Sequence, residues 1–465
     1  MPAPTDENQN PLDPRPTPRT RPIPIALLIL AAPIVASMAS RTAMSWVDFV
    51  MVSHLGEAAQ AAIVPAGIML FCLISFGFGL LSVVSTLASQ SLGRGDPTRC
   101  GAWAWQGLWL SLAWALLMAP LTPLVDPLID SFGHDPDVTR MEADYLRVGL
   151  WGVFPAVASA ALSAFFQGVH RPWPALWATI AGNAFNVVAN YALIYGHWGF
   201  PELGVAGAAW GTNAGAAVQL LVLMAFLLAP RFRHEFGLAL GWRPQPAKLL
   251  QMLRVGGPAG AQLSADIVNF TLFLTLVVGR FGVSAVAGSN IAFKYFELAI
   301  VPIVGVSMAA TAAVGRAIGA GDLARARATA YWAWAISLAV VGTASLAYCL
   351  LGHTLVGWLT PDPNTAHHAV RVLWCLAIFQ LFDCTQFTFA GVLKGAGDTL
   401  WPAVVMFACS LLIMLAGGWA IATWAPHWGV VGPWAAATVA FAIVALCFAL
   451  RFRSGRWESI ELDQP

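Results

Sequence analysis

The chain has 465 residues, of which 58% are hydrophobic and only 10% charged, with 24 Lys and Arg against 23 Asp and Glu. A globule needs a polar covering, so a soluble domain of this length cannot hide that much apolar surface, and the composition points to a chain that crosses a membrane many times. The net charge of +1 comes from basic residues scattered among loops, with no basic face for a nucleic acid.

Taken in order, residues 1–24 are polar and proline-rich, lack the layout of a cleavable signal, and read as a disordered tail. Polar breaks then mark about twelve apolar segments, at 25–53, 60–91, 101–125, 143–168, 173–196, 204–229, 247–279, 284–315, 327–352, 368–393, 400–424 and 429–450. Several exceed the roughly 20 residues a span needs, which predicts tilted or bent helices. The first segment carries Arg41 and Asp48, the fifth Asn186 and Asn190, and the sixth Thr212. Residues 230–246 form a basic linker with apolar residues between, expected along the cytoplasmic surface. The seventh segment carries Asp266, the eighth Lys294 and Glu297, and the tenth Asp383 and Gln386. Residues 452–465 read as a cytoplasmic tail.

The pattern is written twice. Pro258 follows Pro33 by 225 residues, Gly321 follows Gly95 by 226, Gly395 follows Gly168 by 227 and Gly432 follows Gly207 by 225. Four landmarks at one nearly constant offset predict two related six-helix bundles, residues 25–229 and 247–451, around a shared central cavity. The fold class is therefore all-α, twelve transmembrane helices in two pseudo-symmetric halves. With the N-terminus inside, 18 of the 24 Lys and Arg fall on the cytoplasmic side, which places both termini there. Six spans per half is an even number, so the copies share one orientation and their axis follows the membrane normal.

Arg41, Asp48, Asp266, Lys294, Glu297 and Asp383 sit inside spans. Each costs about 2.5–3.5 kcal/mol at mid-helix, on the order of 15–20 kcal/mol together if unpaired, so they must face one another or a wet cavity. Four acids against two bases leave an acidic interior, suited to cationic passengers and to H+ or Na+. The charges break the repeat: Asp266 minus 225 is Arg41, an acid facing a base at the equivalent position. Arg41 and Asp48, seven apart, share a helical face, and Lys294 and Glu297 are close enough in sequence to touch. Burial disfavours the charged form of a carboxylate, so such a group can load a proton on one side and release it on the other. Sodium prefers several oxygens together, and Asp48, Asn186, Asn190 and Thr212 offer such a set in the first half; plain interhelical hydrogen bonds are the competing reading. The seven cysteines form no metal-spaced pair and read as packers. No nucleophile elbow, paired-His motif or resident cofactor site appears, which argues against a membrane-embedded enzyme.

These residues resemble the multidrug and toxic compound extrusion (MATE) family of antiporters over nearly all of 25–450. LAAPIVASMASRTAMSWVDFVMVSHLGEAAQAA in the first span, FDCTQFTFAGVLKGAGDTLWP in the tenth, and the paired turns GRGD and GAGD carry the resemblance. It implies two six-helix bundles forming a V-shaped cavity and the export of organic cations or drugs against inward H+ or Na+. It implies that Asp383, Asp266 and Asp48 are coupling acids and that Asn186 and Thr212 belong to a first-half cation site. Asp266 stands where one branch has Glu, Asn190 where another has Asp, and Arg41 departs from the pattern. The expectation is a bacterial inner-membrane, multi-pass monomer in the lipid bilayer, taking amphipathic small molecules. The rival is a flippase for lipid-linked saccharides, which would need a strongly cationic cavity.

Overall fold

The computed structural model describes residues 22–460 and 462, apart from residue 240, so residues 1–21 of the expected tail lie outside the described residues. The described chain is helical throughout, with no strand. In the first half the helices are α1 (Ile23–Ser53), α2 (Glu57–Leu81), α3 (Val83–Gly93), α4 (Pro97–Met118), α5 (Val125–Asp130), α6 (Pro136–Trp151), α7 (Val153–Gly168), α8 (Trp173–Tyr195) and α9 (Gly204–Leu228). A short α10 (Pro230–Glu235) opens the link. The second half holds α11 (Pro246–Leu272), α12 (Val283–Gly319), α13 (Leu323–Gly357), α14 (Pro363–Ala396), α15 (Leu400–Cys409), α16 (Gly418–Trp424) and α17 (Val431–Arg453).

Pairs α2–α3, α4–α5, α6–α7 and α15–α16 are each one crossing interrupted by a turn or a bend, giving twelve crossings, six in each half. The α6–α7 crossing bends by 51°. Its cause is local: Pro155 lacks an N–H and its ring clashes with the carbonyl four residues back, while Gly152 lies in the break. Wider π-helical turns, Phe273–Val277 after α11 and Ser410–Gly417 between α15 and α16, interrupt two second-half spans. Ten helices are long and apolar enough to cross a membrane, and the bent pair makes an eleventh. The remaining crossing, α8, carries Asn183, Asn186 and Asn190, which depress its hydropathy.

Because crossings alternate, Pro22, the link and Ile460 share one end of the molecule, called here the terminal end; the loops after α1 and α12's start share the distal end. The two halves exchange helix ends there. Leu27, Leu30, Ala31 and Ile34 of α1 pack in one core with Val306, Ala309 and Ala310 of α12 and Ala326, Ala330 and Ala333 of α13. Reciprocally, Met252 and Val255 of α11 join the first-half core with Leu80, Val83, Val84 and Trp103. The exchange precedes Pro33 and Pro258, the matched prolines of the repeat.

The link is bound to α4. Phe236 and Leu238 are buried. The indole N–H of Trp105 donates to the Leu238 carbonyl (3.0 Å), Trp109 donates to that of Trp242 (2.8 Å), and Gln106 donates to that of Arg243 (2.9 Å) and accepts from the Gln245 amide (2.8 Å). Beyond α17 the chain packs back: Trp457 is buried and stacks on Phe452 at 5.3 Å, and Glu458 pairs with Arg327 at 2.6 Å.

Candidate functional site

Polar side chains gather in two clusters, one per half. In the first, α8 presents Asn183, Asn186 and Asn190 three or four residues apart, one stripe on one helical face. Asn183 donates to the Ser40 carbonyl (3.0 Å) and hydroxyl (2.8 Å) of α1. Asn190 donates to the Asp48 carboxylate and to the Asn186 oxygen (3.1 Å), and Asn186 donates to the Thr212 hydroxyl of α9 (3.4 Å). Asp48, Asn186, Asn190 and Thr212 therefore form one connected network. Gly211 lets α9 approach, since a methyl group there would overlap the Asn190 side-chain oxygen. That oxygen is buried and has no donor. Tyr145 of α6 lies within electrostatic reach of Asp48, a neighbour that sequence spacing could not supply.

The second cluster lies along α14, where Gln380, Asp383 and Gln386 follow at three-residue steps and all are buried. Gln380 donates to the Ser345 hydroxyl of α13 at 2.7 Å. Asp383 is 2% exposed, and its Oδ2 has no hydrogen-bond partner. The Gln380 and Gln386 side-chain oxygens are likewise without a donor. Asp266 of α11 is half-buried beside Gln262, lies within electrostatic reach of Asp383, and keeps one oxygen unpartnered. No base among the described residues forms an ion pair with Asp48, Asp266 or Asp383. Buried polar atoms normally have partners, so a cluster of acceptors lacking donors can take up a proton or a cation.

Arg41 and Asp48 share a face of α1 but do not pair: Asp48 is held by Asn190 and has no ion pair with Arg41. Lys294 and Glu297 do meet, at 3.0 Å, but with side chains 51% and 39% exposed. Lys294 also lies 5.3 Å over the Trp46 ring, spanning from the second half to α1. Arg41 is exposed, and Asp48, Asp266 and Lys394 are half-buried.

The two halves are closed against each other at the terminal end. Thr86 of α3 donates to the Lys394 carbonyl and Gln90 to that of Gly395, each at 2.9 Å. Gly79 faces the Ala259 backbone and Gly260 faces that of Phe76, where a methyl group would come within 2.5 and 2.6 Å of a carbonyl oxygen. Nearer the end, Gly93 abuts Arg316 and Gly319 abuts Gln90. His170, in the turn between α7 and α8, donates from Nε2 to the Ala312 carbonyl at 3.2 Å. Its backbone sits at φ +59°, an unfavourable left-handed conformation for a non-glycine residue.

Burial first, then the Arg316 and Arg325 charges, push the His170 imidazole from 6.5 down to about 4. A group whose pKa is depressed by closure stabilises closure when neutral, and that contribution fades as pH falls from 6.5 toward 4. Acidifying the terminal side through this window is therefore expected to loosen the closure. Faster amide hydrogen exchange over residues 312–319 at pH 5 than at pH 7, absent in His170→Gln, checks it.

The profile of the MatE family matches residues 33–192 and 267–419. A probable multidrug resistance protein NorM of Xanthomonas axonopodis pv. citri is 31% identical over 91% of this chain and 93% of that protein. The NorM-named protein of Bradyrhizobium diazoefficiens is 30% identical over 92% and 93%. A solved structure described as the outward-facing conformation of a multidrug resistance MATE family transporter superposes with a TM-score of 0.85 at 22% identity, covering 95% of this chain and 97% of that one. With two halves of six crossings around a polar interior, and relatives matched along nearly their whole length, this chain belongs to the MatE family of multidrug and toxic compound extrusion transporters.

Proposed function

We propose that the protein exports organic cations and drugs from the cytoplasm in exchange for H+ or Na+, by alternating access. The observation that carries this reading is the pair of carboxylates, Asp383 and Asp266, within electrostatic reach of each other, with buried oxygens unpartnered and no ion-pair partner among the described residues. The bias of Lys and Arg makes the terminal end cytoplasmic, so the closure described above seals the inner side and leaves the cavity to the outside. In this reading the membrane is the bacterial inner membrane and the protein works as a monomer.

The cycle follows from competition for shared acceptors. Drug enters from the cytoplasm while the acids are deprotonated. Rocking exposes it outward, where H+ or Na+ occupies Asp383 and Asp266 and displaces it. Each occupant shifts the equilibrium only by its difference in affinity for the two states. The Asp48, Asn186, Asn190 and Thr212 network supports a second cation position, with the unpartnered Asn190 oxygen as an additional ligand. The flippase reading loses support from the acids at Asp48, Asp266 and Asp383, which oppose a pyrophosphate.

Reconstituted vesicles loaded with a fluorescent cation and given either a pH gradient alone or a sodium gradient alone test the reading. Dye movement driven by one gradient, and abolished when that gradient is collapsed, supports it. Movement under neither overturns it.

A further inference from the structure

The chain turns back on itself after α17. Gly455, at φ +70°, takes the left-handed conformation that a residue with a side chain resists, and its N–H donates to the Phe452 carbonyl at 3.2 Å. A single helical turn, Arg456–Ser459, follows. Trp457 within it is fully buried, in the core built by Val306, Ala326, Phe389 and Phe448, and donates its indole N–H to the Phe452 carbonyl at 2.8 Å. Glu458 pairs with Arg327 of α13. This stretch is thereby fixed to the second half.

Five residues beyond Trp457, Leu462 keeps different company. Its half-buried side chain packs against the first-half core, the cluster that holds Leu87, Trp103 and Val255. The same side chain covers the turn after α14: Gly397 stands there at φ +91°, and a methyl group on it would come within 2.5 Å of a Leu462 methyl. That turn is the second-half rim of the terminal closure. Just before it the Lys394 and Gly395 carbonyls accept from Thr86 and Gln90 of α3. Just after it the Thr399 hydroxyl donates to the Val255 carbonyl at 2.5 Å, and Arg451 of α17 holds Asp398 at 2.7 Å. Leu462 therefore has the end of α14 on one side and the first-half core on the other.

Parting α3 from α14 at this end would separate those two sides, and Leu462 cannot follow both. Trp457 and Glu458 keep the root of the segment on the second half, so the contact that is given up is the one with the first half. Apolar surface then returns to water, which is unfavourable. A contact present in one state and absent in the other stabilises the first by that difference.

We propose that the chain beyond α17 is a clasp: rooted in the second half through Trp457 and Glu458, it carries Leu462 to the first half and biases the molecule toward the closed terminal end, which opens only when Leu462 is released. The device acts whatever the cargo and goes beyond the export reading.

Amide hydrogen exchange of the purified full-length protein, with no cargo and no gradient, tests it. In Leu462→Asp, residues 83–93 and 391–397 are expected to exchange about tenfold faster than in wild type, an ordinary size for coupling between two sites. Residues 54–60 and 360–366, at the distal end, should keep their wild-type rates. Leu462→Met should match wild type throughout, because a flexible apolar side chain can fill the same place. Wild-type rates at residues 83–93 and 391–397 in Leu462→Asp overturn the proposal. So does an equal rise at both ends of the molecule, which marks a general loss of stability. Failure of the export reading leaves this measurement unchanged, and its own failure leaves that reading untouched.

Discussion

Asp383→Asn is expected to cut drug efflux about a hundredfold, the upper range of coupling between two sites, while the protein inserts at the wild-type level. The size follows from the environment of this carboxyl. It lies among Gln380, Gln386 and Cys384 on α14, it is 2% exposed, and one oxygen has no donor. An amide of the same shape cannot lose or gain a proton and carries no charge to attract a cation, so the exchange that displaces drug loses its driver. Packing is barely altered, and removal of a buried charge without a counter-ion costs little and can stabilise. Expression and thermal unfolding in detergent should match wild type while resistance of cells to a cationic dye falls to that of the empty vector. Resistance unchanged in Asp383→Asn would sink the coupling role.

Gly319→Ala is expected to abolish transport by a different route, by denying the molecule its closed terminal end. A methyl group on Gly319 would occupy the Gln90 backbone carbonyl of α3, and backbone cannot rotate away as a side chain can. The same holds in reverse at Gly93, whose neighbour is the Arg316 carbonyl. Small residues are what let membrane helices pack backbone to backbone. With α3 and α12 forced apart, the Thr86 and Gln90 bonds to α14 lengthen or break. Overpacking of this kind costs about 1–3 kcal/mol, enough to shift the balance between closed and open by tenfold or more. Dye transport should fall at least tenfold, and amides of residues 83–93 and 312–319 should exchange faster than in wild type. Wild-type exchange rates with wild-type transport would show that the helices accommodate the methyl group. The two variants separate cleanly, because Asp383→Asn leaves the closure intact and Gly319→Ala leaves the carboxyl intact.

Much of this was readable in the chain, for identifiable physical reasons. Hydrophobic runs must cover about 30 Å of lipid, so they announce themselves. The duplicated landmarks fixed two halves of six crossings. Asn186 and Asn190, four residues apart, necessarily share a face, and they converge with Asp48 and Thr212. Lys294 and Glu297 meet because three residues advance only about 4.5 Å along a helix. Arg41 and Asp48 share a face but stand about 10 Å apart along the axis, beyond the reach of an ion pair, and α8 claims the acid first. The remainder depends on which helices become neighbours. Nothing near Gln262 or Tyr145 in sequence marks them as companions of Asp266 and Asp48. The His170 contact with Ala312 joins residues 142 apart, and the exchanged ends of α1 and α11 look like any other apolar turns.

The attachment of the link to α4 through Leu238, Trp242, Arg243 and Gln245 bears on how the halves swing. Tryptophan and glutamine side chains of α4 grip the connecting segment along most of its length, so it travels with the first half as a rigid part. Relative rotation must then be absorbed within α11, beyond Met252 and Val255, which also pack in the first-half core, and in the exchanged ends that cross there. The pivot is thereby short and off-centre: a small turn about that corner sweeps the far rim through a wide arc, as a door moves most at the edge away from its post.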